Sequence, residues 1–231
     1  MKSYSDRDLN AILAHFSVAD KAYTFAPLTD GFINDTFLVF DDEAPQYILQ
    51  RVNHDVFKDI SGVMHNIKQA LNSLKATDYR KITLVETKAG KEFLELRGET
   101  LDYWRMMTYI DQSTAHNTTT DPKIAFEAGR IIGKFHTLLK NANHQDYVDT
   151  IPKFHDIDLR KKQFEEAFSK ASGEKLATAE SPIAFTKELL SVLKKKDFDE
   201  LPTRVCHNDT KLNNILFSKE TGKALCLIDL D

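Results

Sequence analysis

A chain of 231 residues, 42% of them hydrophobic and 29% charged, can bury a full core and has the composition of an ordinary globular protein. Its net charge of −4 gives no electrostatic footing for nucleic acid or an anionic membrane as the main partner, and two cysteines, Cys206 and Cys226, argue against a disulfide-stapled secreted fold. No apolar run approaches a membrane span, and the polar start MKSYSDRDLN lacks the apolar centre of a signal peptide, so a cytoplasmic protein is expected.

The N-terminal half reads mostly as strands. Ser5 with Asp8 resembles a capping box, and Leu9, Ile12, Leu13 and Phe16 follow at helical spacing. Strand-like runs come next, AYTFAPL, TFLVF and YILQRV, the last two joined by the turn DDEAPQ as a hairpin. Residues 56–74 are expected to be helical, with Val63, Ile67, Ala70, Leu71 and Leu74 on one face. KITLVE and EFLELR read as two further strands about the turn TKAGK, and LDYWRMMTYI closes this part near Asp111.

After that the pattern turns helical. Asp121-Pro122 is a cap followed by a first-turn proline, and residues 123–139 form a strong amphipathic helix. Residues 159–171 and 183–196 are expected to be two more helices. The tail reads as a strand RVC, a loop HNDTKLNN, a short strand ILF, a turn SKETGK and a strand ALCLIDL. Strands before residue 110 and helices after 115 predict an α+β protein of two lobes, 1–110 and 111–231, connected near residues 109–113.

The tail carries the chemistry. His207-x-Asp209 is followed by Asn214, and Asp229 ends the last apolar strand. If the strands flanking SKETGK run antiparallel, Asp229 returns beside the loop holding Asp209 and Asn214. One carboxylate can then face an acceptor hydroxyl, while an amide and a second carboxylate hold magnesium on a nucleotide's phosphates. Asp and Asn are also common in turns because their side chains bond nearby backbone. The spacing, the hairpin and the strand-ending aspartate together favour the chemical reading over the turn reading.

These residues resemble the aminoglycoside phosphotransferase and choline kinase superfamily, and more narrowly the N-acetylhexosamine 1-kinases. The resemblance extends over DGFINDTFLV, YILQRVN, WRMMTYI, KFHDIDLR and LPTRVCHNDTKLNNIL, most of the chain. It implies ATP-dependent phosphorylation of the anomeric hydroxyl of an amino sugar with magnesium as cofactor, Asp209 as catalytic base, and Asn214 and Asp229 as magnesium ligands. Acceptors such as choline, homoserine or an aminoglycoside are the alternative, as is a nucleotide-binding remnant without turnover. Relatives continue past the IDLD strand with helices that complete the second lobe. Their absence here predicts exposed apolar helix faces, a route to self-association, and weak or no activity of the 231-residue chain alone.

For the nucleotide, the resemblance singles out Gly31 and Asn34 in the loop DGFINDTF. A β-turn with Gly31 at positive φ is the plainer reading of that loop. Phe32, Asp35 and Asn213 are candidate contacts to sugar or phosphate. Protein kinases place a phosphate-binding lysine on the strand here read as YILQRV, paired with a glutamate on the next helix. This chain has Gln50 at that place, Arg51 beside it, and no glutamate in residues 56–74. Alternation from Ile48 turns Gln50 rather than Arg51 toward the phosphates. Met106, Met107 and Tyr109, with backbone groups near Thr108–Tyr109, are expected to pack and bond the adenine, whereas Trp104 reads as core. His136, Cys206 and Cys226 read as packed core residues, and the basic runs 160–162 and 194–196 as solvated helix faces.

Overall fold

A computed structural model describes residues 4–29, 31, 33–98, 100–193 and 201–231. Phe32 and the lysines at 194–196 therefore lie outside the described residues. The chain divides into two compact units, Met1–Thr150 with Arg204–Asp231, and Ile151–Thr203.

The first unit opens with helix α1, Asp6–Leu13. Ser5 starts it as read: its Oγ accepts the Asp8 N–H, and its own N–H donates to Asp8 Oδ2 at 3.0 Å. Five antiparallel strands follow: β1 Thr24–Leu28, β2 Asp35–Asp41, β3 Ala44–Val52, β4 Leu94–Arg97 and β5 Leu101–Thr108, in the order β1-β2-β3-β5-β4. Alternation splits this sheet into two faces. Phe37, Val39, Leu49, Trp104 and Met106 pack with Leu9, Ile12, Leu13, Phe16 and Tyr23 in one core. Thr36, Gln50 and Arg105 occupy the other face, joined by hydrogen bonds.

Three local expectations change. The β2–β3 hairpin is tighter than DDEAPQ suggested, because pairing continues to Asp41↔Ala44 and leaves only Asp42 and Glu43 to turn, Asp42 at φ 53°. Helix α2 runs Ile60–Ser73, beginning later than residue 56 because Asp59 caps it through the Gly62 N–H while Val56 and Phe57 bond back to Asn53. KITLVE is not a full strand. β4 occupies β5 from Leu101 to Trp104, so KITLVE reaches only the far end of β5, through a single bridge Leu84↔Met107 and the bonds Val85 N–H to Met106 O and Thr108 N–H to Thr83 O.

The same unit contains helix α3, Pro122–Leu138, capped by Asp121, and a three-stranded sheet β6 Ser113–Thr114, β7 Ile215–Ser218 and β8 Ala224–Leu227 in the order β6-β7-β8. Residues 204–206 form no strand. Cys206 is exposed rather than packed, whereas Cys226 is buried on β8 and its thiol is pushed up to about 12 by that burial. His136 is only half-buried, edge-on to Phe135. Glu127 of α3 holds β8: its Oε2 accepts from the Ala224 N–H and from Arg130, whose Nη2 also donates to the Ala224 carbonyl at 2.7 Å.

The second unit contains α4 Ile157–Lys170, α5 Gly173–Thr178 and α6 Glu180–Val192. The short α5 was not evident in the sequence; extended backbone at Ala171 ends α4, and Ser172 caps a new helix. None of the three helices has a buried residue, and Phe185, Leu189 and Val192 are exposed apolar positions of α6. Among the described residues no helix is long and apolar enough to cross a membrane.

Glu127→Ala strands the Ala224 amide and leaves Arg130 with only the Ala224 carbonyl. We expect a loss of about 1–3 kcal/mol in urea unfolding. The hydrogen bond from Arg130 lowers the Glu127 pKa in the folded protein. This contribution is therefore complete above the unfolded glutamate pKa, about 4.3. It disappears as pH falls through the lower folded value, so the gap between wild type and variant should close on acidification.

Candidate active site

The β7–β8 hairpin sets the site. Ile215 pairs with Leu227, and one residue further on the Ile228 N–H donates to the Asn214 carbonyl at 2.9 Å. This places Asp229 beside the loop 207–214, as the spacing predicted. His207 is buried under an edge-to-face contact with Phe135 of α3. Its Nε2 donates to the Ile228 carbonyl at 2.9 Å, and its Nδ1 accepts the Asp209 N–H at 3.4 Å, an arrangement that requires the neutral tautomer with the proton on Nε2. Burial is the main reason its pKa lies below the usual histidine value, which agrees with the neutral ring. His207 thus holds loop and strand together.

Asp209 is half-exposed. Asn214 Nδ2 donates both to its backbone carbonyl at 2.9 Å and to its Oδ2 at 3.0 Å, and Lys211 Nζ lies 2.8 Å from the same oxygen. Asn208 and Asp229, neither of them glycine, both hold φ of 64°. Such left-handed residues cost free energy that surrounding bonds must offset, and here they flank the carboxylates. Crowding by protein atoms, then the Asp231 carboxylate, pushes the Asp229 carboxyl up to about 6, against the lowering pull of Arg105 and Lys211. Asp229 keeps an open side toward solvent, by which a cation can reach it.

The donor set suits a hard divalent cation. Asn214 Nδ2 is engaged by Asp209, so the amide presents its oxygen, and Asp229 presents a carboxylate whose charge the site disfavours without a counterion. Among the described residues no group of three or more His, Cys, Asp or Glu is arranged to hold a metal alone. A cation here would rest on few protein ligands and share the rest with phosphate. The buried Asn213 Oδ1 has no hydrogen-bond partner among the described residues.

On the sheet side, the expected parity holds. Gln50 faces away from the α1 core, with Nε2 donating to Thr36 Oγ1 at 2.8 Å and Oε1 accepting Arg105 Nε at 2.7 Å. Arg51 turns the other way and pairs with Asp35 at 2.6 Å and Asp102 at 3.2 Å. Asp35, a candidate substrate contact, is therefore a buried partner of Arg51 and is not brought to this group. Asn34 is: its Nδ2 donates to Asp231 Oδ2 at 3.0 Å, and its Oδ1 accepts the Asn53 N–H. An added Cβ at Gly31 would meet nothing within 4 Å among the described residues. Met107 is half-buried and opposite Ile48, two positions from the Gln50–Arg105 pair. The Thr108 and Tyr109 amides donate to the Thr83 and Gln46 carbonyls, each at 2.9 Å.

Arg105 escaped the sequence reading. It is 2% exposed, and its Nη1 lies 2.5 Å from Asp231 Oδ1. The available signal was a charged residue inside the apolar run YWRMMT, with the parity of Met107.

A family profile described as "Phosphotransferase enzyme family" matches residues 24–231. Among solved structures, a spectinomycin phosphotransferase in complex with ADP and spectinomycin is 15% identical, with a TM-score of 0.60, over 100% of this chain and 70% of that one. A microcompartment-associated aminopropanol kinase is 18% identical, with a TM-score of 0.63, over 96% of this chain and 68% of that one. An amicoumacin kinase in complex with AMP-PNP, Ca²⁺ and amicoumacin is 14% identical, with a TM-score of 0.56, over 96% of this chain and 62% of that one. These likenesses show the two-lobed, protein-kinase-like α+β fold.

His207→Ala removes one donor and one acceptor from a buried junction. We expect a loss of about 2–4 kcal/mol in denaturant unfolding, larger than for His136→Ala, whose ring is half-buried against Phe135.

Proposed function

Because the chain belongs to the phosphotransferase enzyme family, we propose that its working form transfers the γ-phosphoryl group of ATP to a hydroxyl of a small molecule, with magnesium as the metal. The observation that carries this reading is the junction of Asp209, Asn214 and Asp229 at one end of the β7–β8 hairpin. Asp209 accepts or orients the proton of the acceptor hydroxyl, and its contacts to Asn214 and Lys211 hold it ready. Asn214 and Asp229 hold the metal. Gly31, Asn34 and Gln50 bound the phosphate side, and Met107 and Tyr109 the base side, in an N-terminal lobe of residues 1–110; residues 111–231 supply the catalytic loop. The bound nucleotide and its metal supply the group transferred and offset its charge. The remaining acceleration comes from positioning and electrostatics.

The finer reading of the acceptor is the anomeric hydroxyl of an N-acetylhexosamine. Its support is the resemblance of DGFINDTFLV, YILQRVN and KFHDIDLR to the N-acetylhexosamine 1-kinases. An amino alcohol or aminoglycoside acceptor is the second reading, favoured by the names of the fold neighbours. The chain spans 62–70% of the length of those neighbours, so activity is best tested on the longest native form of the protein as well as on this chain.

Incubation with Mg-ATP and either N-acetylhexosamine, followed by phosphorus NMR, should yield the sugar 1-phosphate. Phosphate on O6, or none on any hexosamine, would remove that substrate class. Asp209→Asn should lose roughly 10²–10⁴-fold in turnover while retaining nucleotide affinity, because an amide cannot accept the proton. Asp229→Ala should abolish magnesium-dependent ATP binding, as calorimetry would show, with the urea midpoint little changed.

A further inference from the structure

We infer that Arg105 on β5 is the cation that anchors the nucleotide's phosphates, in place of the lysine that protein kinases put on β3, and that Asp231 holds it in reserve until phosphate arrives. This rests on the nucleotide-site reading above.

Four observations converge. First, the β3 position that faces away from the α1 core is the neutral Gln50, while the cation beside it, Arg51, is on the opposite face and neutralised by Asp35 and Asp102. β3 therefore offers no charge to a phosphate. Second, Arg105 is directly opposite Gln50 in the β3–β5 register, and Gln50 Oε1 accepts its Nε at 2.7 Å. The positive charge has moved one strand across the sheet, and Gln50 orients it. Third, the guanidinium is under-used. Of its five N–H donors, Nε bonds Gln50, while Nη1 is buried beside Asp231 at 2.5 Å as an ion pair and has no hydrogen-bond partner among the described residues. A planar fork with open donors is suited to bidentate phosphate contacts. Fourth, the neighbours belong to the same site: Asp231 Oδ2 also accepts from Asn34 of the β1–β2 loop, and Asp231 lies two residues beyond Asp229. Phosphates lying between that loop and Asp229 would meet Arg105.

A buried ion pair that only stabilised the fold would behave differently. Asp231 competes with phosphate for Arg105, so removing its charge should strengthen the binding of an anionic nucleotide. A merely structural pair predicts no such gain.

The test uses calorimetric titration of the full chain with ADP and with adenosine, both in EDTA so that no metal contributes. Arg105→Met should weaken ADP binding by about 10- to 100-fold, the range of a charge-assisted contact, with adenosine affinity within about twofold of wild type. Asp231→Asn should tighten ADP several-fold without altering adenosine. Gln50→Lys in the Arg105→Met background should restore much of the ADP affinity by returning a cation to β3. Equal losses for ADP and adenosine in Arg105→Met would overturn the inference, as would unchanged or weaker ADP binding by Asp231→Asn. The second outcome remains decisive even if Arg105→Met does not fold. A wild-type chain that binds ADP no better than adenosine would overturn it as well. A wild-type chain that binds neither would instead sink the nucleotide site itself, and this inference with it.

Discussion

The Asn214 side chain is the contact on which the site depends. One amide nitrogen bonds both the carbonyl and the carboxylate of Asp209, while the Asn214 backbone carbonyl receives the Ile228 amide. A single residue thereby sets the distance between the end of the loop and the end of the strand. Asparagine suits this role because it has donor and acceptor on one rigid plane. Aspartate would lack the donor and would add a fourth negative charge beside Asp209, Asp229 and Asp231.

That charge balance explains much of the surrounding structure. Three carboxylates converge near Arg105 and Lys211, and the excess negative charge is one reason the Asp229 carboxyl is pushed upward. The neutral His207 adds no further charge while closing the junction through Ile228 and Asp209. Left-handed backbone at Asn208 and Asp229 is tolerated because the bonds on either side over-determine it. The site is held rigid by its scaffold yet electrostatically incomplete, which is the condition in which a cation and an anionic ligand bind best together.

Strand parity separates the charged groups of β3. Gln50 and Arg51 are adjacent, but they live in different environments: one in a polar relay with Thr36 and Arg105, the other in a buried cluster with Asp35 and Asp102. A one-residue slip would exchange these two environments and bring Leu49 out of the core. The apolar residues Phe37, Leu49, Trp104 and Met106 prevent the slip, so packing against α1 decides which charged groups reach the opposite face.

Local chemistry was legible in the sequence by itself. The Ser5–Asp8 cap, the Asp121-Pro122 start of α3, the β2–β3 and β7–β8 hairpins, and the approach of Asp229 to Asp209 and Asn214 all follow from short-range rules of capping, periodicity and turn formation. The Gln50 parity followed from alternation alone. Only the tertiary structure decided what depends on distant partners. KITLVE was demoted to a single bridge because β4 already occupies most of that edge of β5. Asp35 was drawn to Arg51, Cys206 was left exposed, and Asn34 met Asp231 across 197 positions of chain. Arg105 found both of its partners on other segments. A side chain's charge is written in its own residue type, but the group that neutralises it is chosen by the folded backbone, and no periodicity encodes that choice.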